Sequence, residues 1–141
     1  MKINYKRLAI FILVPLLAGS IVGLLTVPNN NINSFIPSWI FPVVWTILYI
    51  LMGISSYIIY EKTGKISNIY KLQLIVNLLW TPIFFELRLF VLAFIWIIIL
   101  FILVIIMIKK YLSIDKLSGY LQIPYAIWLV IAAVLNILYI I

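Results

Sequence analysis

Five long runs of apolar residues, separated by short polar segments, make up most of the chain. A helix needs about 20 apolar residues to cross the hydrocarbon core of a bilayer. The runs cover residues 8–27, 41–60, 69–86, 89–108 and 119–140. Membrane strands would alternate polar and apolar residues, and the run at 90–108 shows no such alternation. The pattern predicts an all-α integral membrane protein, a bundle of five transmembrane helices forming a single domain over residues 1–141.

The composition supports a membrane protein and narrows the chemistry available to it. The 141 residues are 67% hydrophobic and 9% charged, whereas soluble domains carry about 25% charged residues. Too few polar side chains remain to cover a water-facing surface, so a soluble globular domain is excluded. The sequence has no Cys and no His, which excludes disulfides, a thiol nucleophile and zinc-type metal sites. No cofactor and no metal are therefore predicted.

The basic residues indicate an orientation in the membrane. The net charge is +7, but the charges lie in short groups between apolar runs, so nucleic-acid binding is not expected. One side of the predicted bundle carries Lys2, Lys6, Arg7, Lys62, Lys65, Lys71, Lys109, Lys110 and Lys116, and the other carries Arg88. The positive-inside rule then places the N-terminus in the cytoplasm and the C-terminus outside. The first run is longer than the apolar region of a signal peptide, and the absence of a transit-type leader favours a bacterial cytoplasmic membrane.

Three of the runs carry a stripe of amide and aromatic side chains at helical spacing. The stripes consist of Trp45, Tyr49 and Met52; of Gln73, Asn77, Trp80 and Phe84; and of Tyr125, Trp128, Ala132 and Asn136. Residues at these spacings share one face of a helix, and polar faces turn away from lipid. We expect the stripes to line one cavity that suits a flat, apolar, aromatic molecule. Without His or Cys, axial haem ligation is disfavoured, although Tyr and Met stay candidate ligands.

Simpler explanations exist for some of these residues. Amides in membrane helices often only hydrogen-bond to a neighbouring helix, and Trp and Tyr often lie at the membrane interface. Trp39 fits that interface or a lid as well as a pocket, and Gln73 fits a capping or bridging role as well as a ligand site. The pair Gly19 and Gly23 permits close helix approach, which we expect within the bundle rather than across a dimer.

Three segments together resemble one family. Residues 37–53 (PSWIFPVVWTILYILMG), 70–85 (YKLQLIVNLLWTPIFF) and 124–136 (PYAIWLVIAAVLN) resemble the second, third and fifth helices of the TspO/MBR family, the tryptophan-rich sensory or translocator proteins. The resemblance implies a five-helix membrane protein, often a homodimer, with a pocket beneath the loop between the first two helices. It also implies ligands such as protoporphyrin IX and other tetrapyrroles, sterols in animal members, and benzodiazepine-type or isoquinoline drugs.

The resemblance also suggests which residues act. Some bacterial members are reported to degrade protoporphyrin in light through Trp residues whose positions match Trp45 and Trp128, and other pocket positions match Tyr49, Asn77, Phe84 and Ala132. The full predicted ligand site is Trp39, Trp45, Tyr49, Gln73, Asn77, Trp80, Phe84, Tyr125, Trp128, Ala132 and Asn136. The chain departs from the family in keeping only Pro42 of a Pro-Pro pair and in lacking a basic residue after Tyr139. The second departure makes a sterol a poor candidate ligand.

Three functions remain open at this point. The first is a receptor or sensor that binds tetrapyrroles and hydrophobic small molecules, and the second is a light-dependent porphyrin-degrading enzyme using Trp45 and Trp128. The third is a small-molecule transporter. Coupled transport is poorly supported because the acids Glu61, Glu86 and Asp115 all fall at predicted helix ends, so no carboxylate, His or Lys lies mid-membrane.

Overall fold

Each predicted apolar run is helical in the computed structural model, which describes residues 2–26 and 39–141. The helices are α1 (Tyr5–Leu25), α2 (Ile40–Thr63), α3 (Asn68–Thr81), α4 (Phe90–Ile114), α5 (Lys116–Leu121) and α6 (Ile123–Ile140), and a π-helical turn (Pro82–Glu86) continues α3. The described residues form no strand, so the all-α prediction is confirmed. Within residues 2–26 and 39–141, four segments are long and apolar enough to cross a membrane: α1, α2, α4 and the α5–α6 segment. The polar connector at 28–37 lies outside the described residues.

Local sequence explains where most of these helices begin and end. Asn4 is the N-cap of α1, and its side chain accepts a hydrogen bond of 3.0 Å from the backbone N–H of Arg7. Polar side chains at this position satisfy the free amides of a first turn. The C-terminal end of α2 is also explained by its sequence. The helix is followed by Gly64, whose φ of 72° is the left-handed conformation of a C-cap. α4 is longer than the helix predicted from the apolar run at 89–108. The lysines that follow this run are good helix formers, and the helix continues to Ile114.

Two prolines change the third and fifth predicted helices. Pro82 has no backbone N–H, so the helical ladder loses a bond there, and the chain shifts to a π-helical turn closed by Leu87 N–H donating to the Pro82 carbonyl at 3.0 Å. The run predicted over 119–140 lies in one candidate membrane span, Lys116–Ile140, but this span consists of two helices, α5 and α6. The helix is interrupted at Gln122, because Pro124 has no N–H to donate to the carbonyl four residues earlier, whereas a proline is tolerated in the first turn of a new helix.

The helices pack around α4 and along the α1–α2 pair. α4 packs against α3 and α6, and α1 packs mainly against α2. The α1–α2 contact is close at Gly53, where an added Cβ would lie 2.5 Å from the carbonyl oxygen of Phe11 and 2.6 Å from Cα of Ile12. Gly19 faces the Tyr49 ring, so it packs within the bundle as expected, whereas Gly23 has open space beside it.

Ion pairs bring three helix ends to one end of the bundle. Arg7 pairs with Glu61, and Nζ of Lys62 lies 2.6 Å from a carboxylate oxygen of Asp115. Asp115 also caps α5 by accepting a bond of 3.0 Å from the Ser118 N–H. The hydrogen bond from Lys62, followed by that from Ser118, holds the pKa of Asp115 below its usual value. The start of α1, the end of α2 and the start of α5 therefore share one end of the bundle, as the charge pattern predicted.

Candidate functional site

An open cavity of about 470 Å³ lies between α1 and α2, with α3 contributing the remaining wall. This volume falls in the range of small-molecule sites, about 300–1,000 Å³. Its lining consists of Leu16, Gly19, Ser20, Gly23, Leu24, Phe41, Pro42, Trp45, Thr46, Tyr49, Thr81 and Phe85. Small residues on the facing side of α1 leave room opposite the aromatic side chains of α2. The cavity is therefore a slot with one aromatic wall.

Trp45 is the centre of that aromatic wall. Its indole stacks on the ring of Tyr49, with centroids 5.7 Å apart and planes at 27°. The edges of two rings from α6 meet it, since the Tyr125 and Trp128 centroids lie 6.2 and 6.5 Å away at 76° and 89°. Trp45 and Tyr49 line the cavity, whereas Trp128 is buried behind Trp45. The predicted stripes of the second and fifth runs thus meet at Trp45.

A buried chain of hydrogen bonds ties α2, α3 and α6 together beside the cavity. The Tyr49 hydroxyl donates to Asn77 Oδ1 at 2.7 Å, and Asn77 Nδ2 donates to the Tyr125 hydroxyl at 2.6 Å. The Tyr125 hydroxyl in turn donates to Gln73 Oε1 at 2.8 Å. Gln73 is fully buried and bridges helices. This chain fixes the Tyr49 ring, and through stacking the indole of Trp45.

The other predicted site residues lie away from the cavity. Trp80 stacks on Phe84 with centroids 5.0 Å apart and planes at 26°, and both side chains are buried. Asn136 donates from Nδ2 to the carbonyl of Phe90 at 2.8 Å, while Ala132 is buried in the core. Trp39 is 63% exposed and immediately precedes α2. Within the described residues, these five belong to helix packing or to the surface rather than to the cavity lining.

Two buried indole groups have an unused donor. The Nε1–H groups of Trp80 and Trp128 find no hydrogen-bond acceptor among the described residues. Buried donors are normally paired, so an unpaired one needs a physical reason such as a water or a ligand. Trp128 matters most here, because it contacts Trp45 on the cavity wall.

A sequence model of the TspO/MBR family matches residues 11–141. The chain belongs to the TspO/MBR family. The resemblance seen in the three segments is thereby confirmed, and with it membership of a family of membrane proteins. Because the match begins within α1 and continues to the last residue, it takes in every element that lines the cavity.

Relatives in the TspO/MBR family include proteins from bacteria, an archaeon and animals. The chain is 38% identical over 106 residues to protein CrtK of Rhodobacter capsulatus, covering 71% of this chain and 66% of the relative. It is 33% identical over 102 residues to the tryptophan-rich sensory protein of Cereibacter sphaeroides, covering 71% and 65%. It is 31% identical over 107 residues to the translocator protein of Ovis aries, covering 71% and 63%. The matched part thus spans a little under two thirds of the length of each of these relatives.

Several cavity residues of this TspO/MBR chain were absent from the predicted site. The whole α1 wall is among them, together with Phe41 and Phe85. Phe41 meets Trp128 edge-on with centroids 6.0 Å apart, and Phe85 meets Phe41 in the same way at 5.8 Å. Phe41 precedes Trp45 by one helical turn, so an extension of the second stripe toward the N-terminus would have found it.

Proposed function

We propose that this TspO/MBR protein binds a tetrapyrrole of the protoporphyrin IX type in the α1–α2 cavity and acts as a receptor or sensor. The observation that carries the proposal is the Trp45 indole, stacked on Tyr49 and presented to an open, apolar slot. A flat aromatic ligand gains most from such a wall, because ring pairs add about 0.5–1.5 kcal/mol to the burial of their surface. The name of one relative, tryptophan-rich sensory protein, supports a sensory role.

The polar groups of the cavity favour recognition by shape and stacking. The Ser20 hydroxyl donates to the Leu16 carbonyl at 2.8 Å, and the Thr46 hydroxyl donates to the Pro42 carbonyl at 2.6 Å. Both hydroxyl protons are therefore engaged with their own helices. These two side chains can therefore accept a hydrogen bond from a ligand but cannot donate one. The rest of their surface toward the ligand is a methylene group in Ser20 and a methyl group in Thr46.

We also propose that all five helical segments cross a bilayer, with the N-terminus in the cytoplasm. α3 and its π-helical turn together cover residues 68–86, close to the length that a span requires. α1 exposes a broad apolar surface that includes Leu13, Leu17, Ile21 and Leu24. Such a surface suits contact with lipid, and the basic end of the bundle suits the cytoplasmic side.

Replacing Trp45 by leucine is expected to weaken protoporphyrin IX binding about tenfold, because the stacking surface of the cavity is lost. The matched control is Trp96→Leu. The Trp96 indole donates to the Val76 carbonyl at 2.7 Å between α3 and α4 and does not line the cavity. Binding is followed by the porphyrin absorption band, which does not depend on the number of tryptophans. Equal dissociation constants for the two variants would contradict the assigned site.

A second candidate, light-dependent porphyrin degradation, is favoured by the adjacent indoles. Trp45 lines the cavity, and Trp128 lies directly behind it with centroids 6.5 Å apart. A photoexcited porphyrin would lose one electron to molecular oxygen, giving superoxide, and the two radicals would combine to oxidise the ring beside the electron-rich indoles of Trp45 and Trp128. Molecular oxygen would be the final oxidant.

Illumination in air is expected to bleach the bound porphyrin, and Trp128→Phe is expected to slow the bleaching several-fold while binding is retained. Binding should survive because Trp128 does not line the cavity. The absorption band is recorded in light, in darkness and under argon. A band that stays constant in the illuminated wild-type complex would exclude degradation, and equal rates in both proteins would exclude a role for Trp128.

A further inference from the structure

A second cavity, of about 590 Å³, lies at the other end of α2. It is formed by the end of α2, the connection to α3, the first turn of α3 and the last turns of α4. Three lysines line it, Lys65, Lys71 and Lys110, and all three are exposed. Ile59, Ile66 and Ile114 also line it, so the cavity combines cationic groups with apolar side chains.

These three lysines have no ion-pair partner among the described residues. At this end of the bundle, Glu61 is paired with Arg7 and Asp115 is paired with Lys62. Within residues 2–26 and 39–141, no ion pair forms at Lys65, Lys71 or Lys110. Three positive charges at one concave surface create a potential that attracts an anion.

The start of α3 adds two further features that suit an anion. Ser67 occupies the N-cap position, but its side chain does not cap the helix, and the first turn contains no acidic residue. The first backbone N–H groups of a helix carry partial positive charge and need acceptors. Ser67 is only 8% exposed, lines the cavity, and its hydroxyl finds no hydrogen-bond partner among the described residues. Buried hydroxyl groups are normally hydrogen-bonded, so the Ser67 hydroxyl is available to bind a ligand.

We propose that this cavity binds a phosphate group, held by Lys65, Lys71 and Lys110 and by the first turn of α3. A phosphate oxygen at this helix start would accept from the free backbone amides. Rotation of the Ser67 side chain about χ1 to another staggered position would let its hydroxyl donate to the same group. The isoleucines beside the lysines favour the head group of an anionic phospholipid over free phosphate, since acyl chains would cover them. The proposal is independent of porphyrin binding at the other cavity.

The test measures lipid binding to delipidated full-length protein in neutral detergent. The probes are phosphatidylglycerol, zwitterionic phosphatidylcholine and inorganic phosphate, and bound lipid is counted by native mass spectrometry. The site variant is the triple substitution Lys65→Gln, Lys71→Gln and Lys110→Gln. The control is the triple substitution Lys2→Gln, Lys6→Gln and Lys116→Gln. It removes the same number of positive charges at the same end of the bundle, but none of these lysines lines the cavity. Ser67→Ala is paired with Ser113→Ala, whose exposed hydroxyl bonds to the Lys110 carbonyl.

We expect one phosphatidylglycerol per protein, bound at least about tenfold more tightly than phosphatidylcholine, with the preference lost in the site triple and kept in the control triple. Ser67→Ala should weaken binding several-fold and Ser113→Ala should not. If inorganic phosphate binds with the same dependence on the three lysines while the lipids are not distinguished, the site takes free phosphate. Equal losses in the two triple variants, or no preference for any phosphate-bearing anion, would overturn the proposal.

Discussion

Replacing Gly53 by alanine is expected to lower the free energy of unfolding by about 1–3 kcal/mol, the usual cost of an overpacked site. The added methyl group would lie 2.5 Å from the Phe11 carbonyl oxygen and 2.6 Å from Cα of Ile12. Both are backbone atoms of α1, so no side-chain rotation relieves the clash and the two helices must separate. The gain in helix propensity, about 1 kcal/mol, is too small to compensate. Equilibrium unfolding in mixed detergent micelles measures the loss.

The same substitution is expected to weaken ligand binding, because α1 supplies one wall of the cavity. The control for the unfolding measurement is Gly23→Ala on α1. An added Cβ there meets nothing within 4 Å, so this variant gains helix propensity without a clash and should be as stable as the wild type or more stable. If Gly53→Ala proved as stable as Gly23→Ala, the close packing of α1 on α2 would be disproved.

The sequence predicts the helices well because a membrane span needs only length and apolar content. The predicted ends of the helices are less accurate where helix propensity or a proline, rather than apolar content, decides where the helix stops. The charged residues after position 108 end the apolar run but not α4, since lysine is a good helix former. The break at Gln122 depends on a single proline two residues later, which an apolar-run criterion ignores. A pattern of hydrophobicity therefore locates spans and misses the backbone chemistry that divides them.

The lining of the cavity was predicted in part, for a definite physical reason. Amide and aromatic stripes identify faces that turn away from lipid, and the side chains of Trp45, Asn77 and Trp128 do lie inside the bundle. The pattern does not distinguish a side chain that lines a cavity from one that packs behind it. The contribution of α1 to the cavity was not predicted. Its apolar residues surround the whole helix, so the sequence does not indicate which face points into the bundle. Its small residues Gly19, Ser20 and Gly23 were the remaining signal.

Replacing Asn77 by leucine is expected to cost about 1–3 kcal/mol of unfolding free energy, because the Tyr49 hydroxyl then has no acceptor. Asn77 accepts from Tyr49 at 2.7 Å and donates to Tyr125 at 2.6 Å. After the change, Tyr125 still donates to Gln73 at 2.8 Å. The penalty thus falls mainly on the Tyr49 hydroxyl, because its hydrogen bond to Asn77 lies in the buried part of the bundle. Loss of this bond also frees the Tyr49 ring on which Trp45 stacks, so porphyrin affinity should fall as well.

A double-mutant cycle separates that hydrogen bond from general loss of packing. With Tyr49→Phe already present, Asn77→Leu should cost less by about 1–2 kcal/mol, because the unpaired hydroxyl is gone. The control cycle uses Tyr57→Phe, since the Tyr57 hydroxyl accepts from the Asn4 backbone N–H at 2.8 Å and takes no part in the chain around Asn77. There the two changes should add. Additive costs in the Tyr49 cycle would mean that Asn77 acts by filling space, and the Trp45 wall would then depend on packing alone.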